Sequence, residues 1–325
     1  METADVIVAG GGIIGLTTAL ELARNGFRVR VVEKGRVMSE ASWAAAGMLC
    51  PLDIDAELAE LASLSISLYP EFLRTVEGLA GHPVPLRTRA AMVQTESGSF
   101  HWMEEASLDP RDLCTALPRA VRAAGVDLHE ETEVLAVRSQ ADAVEVTTGS
   151  GVLSGGAFVN CCGAWAGTVQ YVDMESHPAA TVGPWKGQIF AVRLASSLDL
   201  TYVLRSPEIY LVPRGEGRVV IGATVERAGF DRRVDPVVVE ELRAKAAELF
   251  PAVASAPVVD SWSGLRPGTE DGMPLLGSAG LPNCWMATGH FRNGILLAPG
   301  TGLIVRQLLQ GGMPAAAIDR FRPGR

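Results

Sequence analysis

The sequence predicts an α/β protein in which a parallel sheet covered by helices is interleaved with a second region built on an antiparallel sheet with helices. Three observations carry this expectation. The first 33 residues read strand, glycine turn, helix, strand; the stretch from Lys186 to Thr224 holds three strand candidates; and helical patterns lie between and after these regions.

Taken in order, residues 5–9 are a β-branched apolar run, a glycine cluster follows, and residues 16–24 are helical up to Asn25-Gly26, a left-handed stop. Residues 28–32 alternate into a second strand that finishes at Glu33, completing a βαβ unit. Residues 55–77 read as helical with an interruption at Pro70, and residues 87–95 as a strand. Asp109-Pro110 opens a helix, with Asp capping and Pro in the first position, and the helix runs to about Ala124. Short strands follow at 133–138, 143–148 and 157–160. In the second region the strand candidates are 187–192, 209–213 and 219–223, with a glycine turn at Gly215 to Gly217. Residues 235–250 form an amphipathic helix ended by Pro251, and from Val258 the chain returns to glycine turns and small residues. A last helix spans roughly 298–310, with Pro299 in its first turn. The resulting division assigns 1–80, 107–180 and 258–325 to a discontinuous nucleotide-binding part, and 81–106 and 181–257 to the second part.

Composition narrows the function. A chain of 325 residues, 48% hydrophobic and 20% charged, buries a large core. A net charge of -9 without a basic cluster argues against nucleic acid, whose phosphates demand a cationic footprint. The beginning of the chain shows no basic leader or cleavage site, which points to the cytoplasm. The uncharged stretch from Thr147 to Val172 is diluted by Gly, Ser, Thr and Asn, so no membrane span is expected. Five cysteines and five scattered histidines lack metal-ligand spacing, which predicts no metal site and no disulfide framework.

Gly10-Gly11-Gly12-Ile13-Ile14-Gly15 fits the pattern GxGxxG, directly after a strand and at the start of a helix. Gly10 permits the tight turn, Gly12 lets the backbone approach a pyrophosphate, and Gly15 lets helix and strand pack closely. The helix N-terminus then offers N–H groups to the anion. Glu33, 18 residues after Gly15, is placed to accept the ribose hydroxyls of an adenine nucleotide. This Rossmann-type turn alone does not choose between NAD and FAD.

Further segments do. Ser42-Trp43-Ala44-Ala45-Ala46-Gly47-Met48-Leu49 is a run of small residues that lets a backbone meet a flat ligand. With Asn160-Cys161-Cys162-Gly163-Ala164-Trp165-Ala166-Gly167, Tyr210-Leu211-Val212-Pro213-Arg214, Gly264-Leu265-Arg266-Pro267-Gly268-Thr269 and His290-Phe291-Arg292-Asn293-Gly294-Ile295-Leu296, it resembles the glycine oxidase and D-amino acid oxidase family, over nearly the whole chain and in the same order. The resemblance implies an FAD-binding domain interleaved with a substrate domain, and non-covalent FAD, although Cys50 beside the Ala-rich run leaves attachment open. It implies that Arg266 grips the substrate carboxylate, that Tyr210 donates a hydroxyl to the same group, and that Arg292 lies at the flavin ring. Gly10, Gly12, Ile13, Ile14, Gly15, Glu33, Lys34, Ala41, Ser42, Ala46, Gly47, Met48, Val134, Gly163, His290, Asn293, Gly294, Ile295 and Leu296 complete the expected cofactor set. The chemistry suits these assignments, since a guanidinium is a planar fork matching a carboxylate.

The reaction that the resemblance implies is hydride loss from Cα of a small amino acid to flavin N5, with O2 reduced to hydrogen peroxide and the imine hydrolysed to oxo acid and ammonia. No nucleophile, metal or protein base is required, and orientation carries the catalysis. Two departures bear on the substrate: only a short connection is expected between Thr95 and Asp109, opening the site, and Glu208 stands where glycine oxidases can show histidine. These favour small or medium D-amino acids as substrates, glycine included, with glycine oxidation for thiamine biosynthesis as the alternative. A dehydrogenase passing electrons to a quinone and a non-catalytic flavin-binding protein are the readings of other classes. The expected partners are the amino acid and O2, and a homo-oligomer stays open.

Overall fold

The computed structural model describes residues 3–50, 56–172, 174–195, 198 and 200–325. Two sheets organise them. Five strands of the first run parallel in the order β6 (Asp127–His129), β2 (Val29–Val32), β1 (Ala4–Ala9), β9 (Gly151–Asn160) and β17 (Cys284–Thr288). Antiparallel strands β8 (Val144–Thr148) and β7 (Val134–Ser139) extend the N-terminal half of β9, with β10 (Gln170–Tyr171) beyond them and β16 (Leu275–Ser278) flanking β17. β1 and β2 are nearly wholly buried, as parallel strands covered on both faces must be. The pleat divides β1 accordingly. Val6 and Val8 join a core with Leu16 and Leu20 of α1 (Ile13–Arg24), Leu61 of α3 (Ala59–Ala80), Leu113 and Leu117 of α4 (Pro110–Ala123) and Ile304 of α6 (Gly294–Leu309), while Ile7 and Ala9 join Val137, Val146, Phe158 and Met286 on the other side.

The second sheet has the order β15 (Val258–Gly268), β11 (Gly183–Arg193), β14 (Arg218–Gly222), β13 (Tyr210–Gly215), β12 (Val203–Arg205), β4 (Leu86–Gln94), β5 (Phe100–Leu108) and β3 (Met48–Leu49). Phe190, Leu204, Leu211 and Ile221 on one face pack against Val239 and Leu242 of α5 (Pro236–Leu249). The opposite face, with Ile189, Val212 and Tyr210, meets α2 (Ala41–Ala44) and the residues after it. By sheet membership the second region draws on 48–49 and 258–268 as well as on segments inside 81–106 and 181–257.

Several elements differ from the sequence reading, each for a physical reason. The presumed connection between Thr95 and Asp109 is a tight turn at 95–99 followed by strand β5, and the run after Val258 is the eleven-residue strand β15. Small and polar residues masked both strands, whose pairing is dictated by the neighbouring strands rather than by their own propensity. Asp55 lies outside the described residues, and α3 runs uninterrupted through the exposed Pro70, which has no N–H to offer the Ile66 carbonyl. The last helix starts at Gly294, so Pro299 stands in its second turn. Pro299 has no N–H to offer the Ile295 carbonyl, and the buried Tyr69 hydroxyl of α3 donates to that carbonyl instead. Ser65, one turn earlier on α3, accepts from Gly300 N–H at 3.0 Å. Two hydroxyls thus weld α3 to the start of α6.

Candidate active site

A cavity of about 440 Å³, within the range of small-molecule sites, runs between the two sheets. One end, called the nucleotide end after its GxGxxG turn, is made by the residues that follow β1. Gly10 holds φ +104°, and a methyl there would collide with the Cys161 carbonyl; a methyl at Gly15 would collide with the Gly10 carbonyl and stand 3.3 Å from Cys161 Cβ. Helix α1 therefore sits directly on the strand ends. No side chain caps it at Gly12, and Ile13 N–H donates to Ser42 Oγ at 2.9 Å. The helix N-terminus thus presents donors and positive potential to the cavity. Glu33 accepts from Gly11 N–H at 2.7 Å and from Gly35 N–H at 2.8 Å, which fixes the carboxylate while leaving it further acceptor sites. Beside it the Lys34 ammonium lies 3.6 Å above the Trp165 ring, and desolvation pulls its pKa down.

In the middle, Ala41, Ser42, Ala46 and Met48 line the cavity. The second sheet pins this segment: Arg214 donates to the Ala46 carbonyl, and Trp262 Nε1 to the Ala44 carbonyl at 3.1 Å. Burial lowers the Arg214 pKa to about 10, which still leaves a cation at neutral pH.

At the far end the sheet register brings together residues distant in sequence. Tyr210 lies opposite Gly222, and Gly222 opposite Ile189. Two residues from Ile189 is Gly187, paired with Gly264 of β15, and Arg266 lies two residues further along β15. Tyr210 and Arg266 therefore share the face toward the first region. The half-buried Arg266 guanidinium donates to the Thr224 carbonyl at 3.0 Å and approaches the Lys186 carbonyl at 3.5 Å. Burial lowers its pKa from an ordinary arginine value, with the nearby Arg292 acting in the same direction and Tyr210 opposing. Desolvation raises the Tyr210 pKa against the pull of Arg266 and Arg292, so its hydroxyl remains a donor at neutral pH. Arg292 is exposed and still lines the cavity. His290 is buried and neutral, its pKa pushed down to about 3 by desolvation, with Nε2 3.0 Å from Thr301 Oγ1. Asn293, Gly294, Ile295 and Leu296 follow, and no side chain caps α6 at Asn293.

Of the residues expected at the site, all but Gly15 and Gly47 line this cavity, Val134 and Gly163 at its nucleotide end among them. Gly15 packs behind the turn, and Gly47, at φ +74°, abuts the Leu108 carbonyl. Glu208 is corrected: it is exposed, absent from the cavity wall and paired with Lys245 at 2.6 Å, so it does not shape the pocket. Sequence reasoning missed the buried Arg205–Glu105 pair, at 3.1 Å, which also lines the cavity. The pair exists only through the β12–β4–β5 register, and no local signal announces it.

The cavity fits FAD on its own features. Two uncapped helix N-termini open on it, the Glu33 carboxylate lines the end beside the first of them, and the side-chain-free backbone of Gly10, Gly12 and Gly264 forms part of its wall. Among the described residues no helix is long and apolar enough to cross a membrane.

The family model for FAD dependent oxidoreductases (DAO) matches residues 5–92 and 84–308. The chain is similar to the glycine oxidase of Geobacillus kaustophilus, 35% identical over 355 aligned positions that cover 94% of this chain and 93% of the relative. It is likewise similar to the glycine oxidase of Pseudomonas aeruginosa, 33% identical over 363 positions covering 98% of each. Both alignments span more positions than the 325 residues of this chain, so the relatives carry segments that it lacks. The crystal structure of glycine oxidase from Geobacillus kaustophilus superposes with a TM-score of 0.93 at 31% identity, covering 100% of this chain and 99% of that one.

Proposed function

This chain belongs to the FAD dependent oxidoreductase family, and from that premise we propose that it is a glycine oxidase, converting glycine, O2 and water to glyoxylate, ammonia and hydrogen peroxide. It is an FAD-dependent amino acid oxidoreductase. The choice of glycine rests on the relatives, which favour the alternative drawn from the sequence over larger D-amino acids. Loss of Glu208 from the pocket removes one of the two departures that had favoured those larger substrates.

The observation that carries the reading is the convergence of Arg266, Arg292 and protonated Tyr210 on one end of the cavity. Arg266 and Tyr210 bind the substrate carboxylate, Arg266 through two parallel N–H donors. Bound FAD supplies the two-electron acceptor and its reoxidation by O2. The exposed Arg292 closes the site with a second positive charge, and neutral His290 with the α6 N-terminus lends donors without adding a full charge. Glu33 and the α1 N-terminus hold the adenosine ribose and pyrophosphate, and Lys34, Ala41, Ser42, Ala46, Met48, Val134, Gly163 and residues 293–296 supply the remaining cofactor contacts. Peroxide formation measured on glycine, sarcosine and a panel of D-amino acids tests the assignment. Glycine should have the highest kcat/KM, and a D-amino acid surpassing it would restore the broader substrate range.

A further inference from the structure

We propose that Gly187 is a positioning residue for substrate recognition: it leaves bare backbone beneath the Arg266 guanidinium, and this clearance sets where the cation meets a carboxylate. The inference rests on the reading of Arg266 as the carboxylate-binding residue.

A methyl group at Gly187 would collide with both terminal nitrogens of Arg266 and stand 2.5 Å from Cζ. Those are its three nearest neighbours, and all belong to the end of one long side chain. Gly10, Gly15 and Gly217 differ, because a methyl at each would strike a backbone carbonyl. Their glycine is demanded by the fold, whereas at Gly187 it is demanded by a side chain that can move. The backbone at Gly187 is outside the left-handed region, so alanine can adopt it, and glycine within a strand otherwise weakens the strand. The stability of the sheet therefore does not explain the residue.

Side chains stand perpendicular to a sheet. Alanine at 187 would lift the guanidinium off β11 toward the cavity, breaking its 3.0 Å bond to the Thr224 carbonyl and turning its fork relative to Tyr210. Gly222 repeats the arrangement one strand away: a methyl there would stand 2.8 Å from the Tyr210 hydroxyl oxygen. Both groups of the carboxylate clamp thus lie over side-chain-free backbone. A displacement of about 1 Å at a positioning group can cost on the order of 100-fold in catalysis.

The test uses the FAD-loaded enzyme, glycolate as an unreactive glycine analogue, and the change in flavin absorbance as the binding signal, for Gly187→Ala, Arg266→Leu and the double variant. Gly187→Ala should weaken glycolate binding and raise the KM for glycine by about 10-fold or more, with FAD content and Tm close to the parent. In the Arg266→Leu background the same alanine should change glycolate affinity by less than about twofold, because independent effects would add. Equal losses in both backgrounds, unchanged affinity in the single variant, or a Gly187→Ala protein that no longer holds FAD would each overturn the proposal. Arg266→Leu binding glycolate as the parent does would instead remove the reading on which it rests.

Discussion

On the proposed reading, the two ends of the cavity recognise their ligands in different ways. At the nucleotide end the turn after β1 works almost entirely through backbone: bare N–H groups at the α1 N-terminus, close contacts that only glycine permits, and one carboxylate held by two amides. At the proposed clamp, side chains from separate strands would do the binding, and Tyr210 and Arg266 come together because four strands stand in one register. Backbone recognition must be contiguous in sequence, since neighbouring amides have to point one way. Side-chain recognition need only be contiguous across a sheet. The nucleotide end should therefore fail as a unit when its geometry is disturbed, and the clamp should lose substrate while keeping its cofactor.

The largest effect is expected at the backbone end. A methyl at Gly15 would strike the Gly10 carbonyl, forcing α1 away from β1, so Gly15→Ala should be isolated largely without FAD, as read from its flavin absorbance. A variant that retains a full complement of flavin would show that the close packing of helix on strand is dispensable, and the contrast between the two ends would weaken.

A smaller effect, near the clamp, depends on pH. Buried His290 stays neutral in the folded protein down to about pH 3, whereas an unfolded histidine takes a proton below about pH 6.5. Its contribution is intact above the unfolded pKa and is lost as pH falls through it, because the unfolded state then binds the extra proton. Between pH 7 and pH 5 this costs about 2 kcal/mol of stability. Denaturant titrations at the two pH values should show that loss in the parent and a correspondingly smaller one in His290→Asn; equal losses in the two proteins would mean that His290 titrates near its ordinary value.

A comparable effect on stability, with a smaller one on catalysis, is expected where α3 meets the start of α6. Tyr69→Phe leaves the Ile295 carbonyl, already deprived of a donor by Pro299, without its hydroxyl partner. The expected loss is about 1 to 3 kcal/mol in unfolding free energy, with little change in the KM for glycine. A large KM change with unaltered stability would place Tyr69 in substrate positioning.

The same contrast explains what the sequence disclosed. The βαβ unit, its glycine turn and the Asp109 cap are written in adjacent residues, and the structure shows the strand, helix and strand in that order with Asp109 accepting from Arg111 N–H. Strand β5 and most of β15 escaped notice because polar and small residues in a sheet take their conformation from their neighbours. Tyr210 and Arg266 were found through family resemblance, not spacing. Arg205 and Glu105, a hundred residues apart, had neither signal, and the Gly187 clearance beneath Arg266 is invisible without coordinates.

The central claim is that Arg266 holds the carboxylate of an amino acid at a separately bound flavin. Anaerobic mixing of glycine with the parent and with Arg266→Leu, following the bleaching of flavin absorbance, tests it most directly. Both proteins should carry FAD, and the glycine concentration for half-maximal reduction rate should rise on the order of 100-fold in the variant, the loss expected when one partner of a desolvated charge pair is removed. Half-saturation at the same glycine concentration in both proteins would contradict the account.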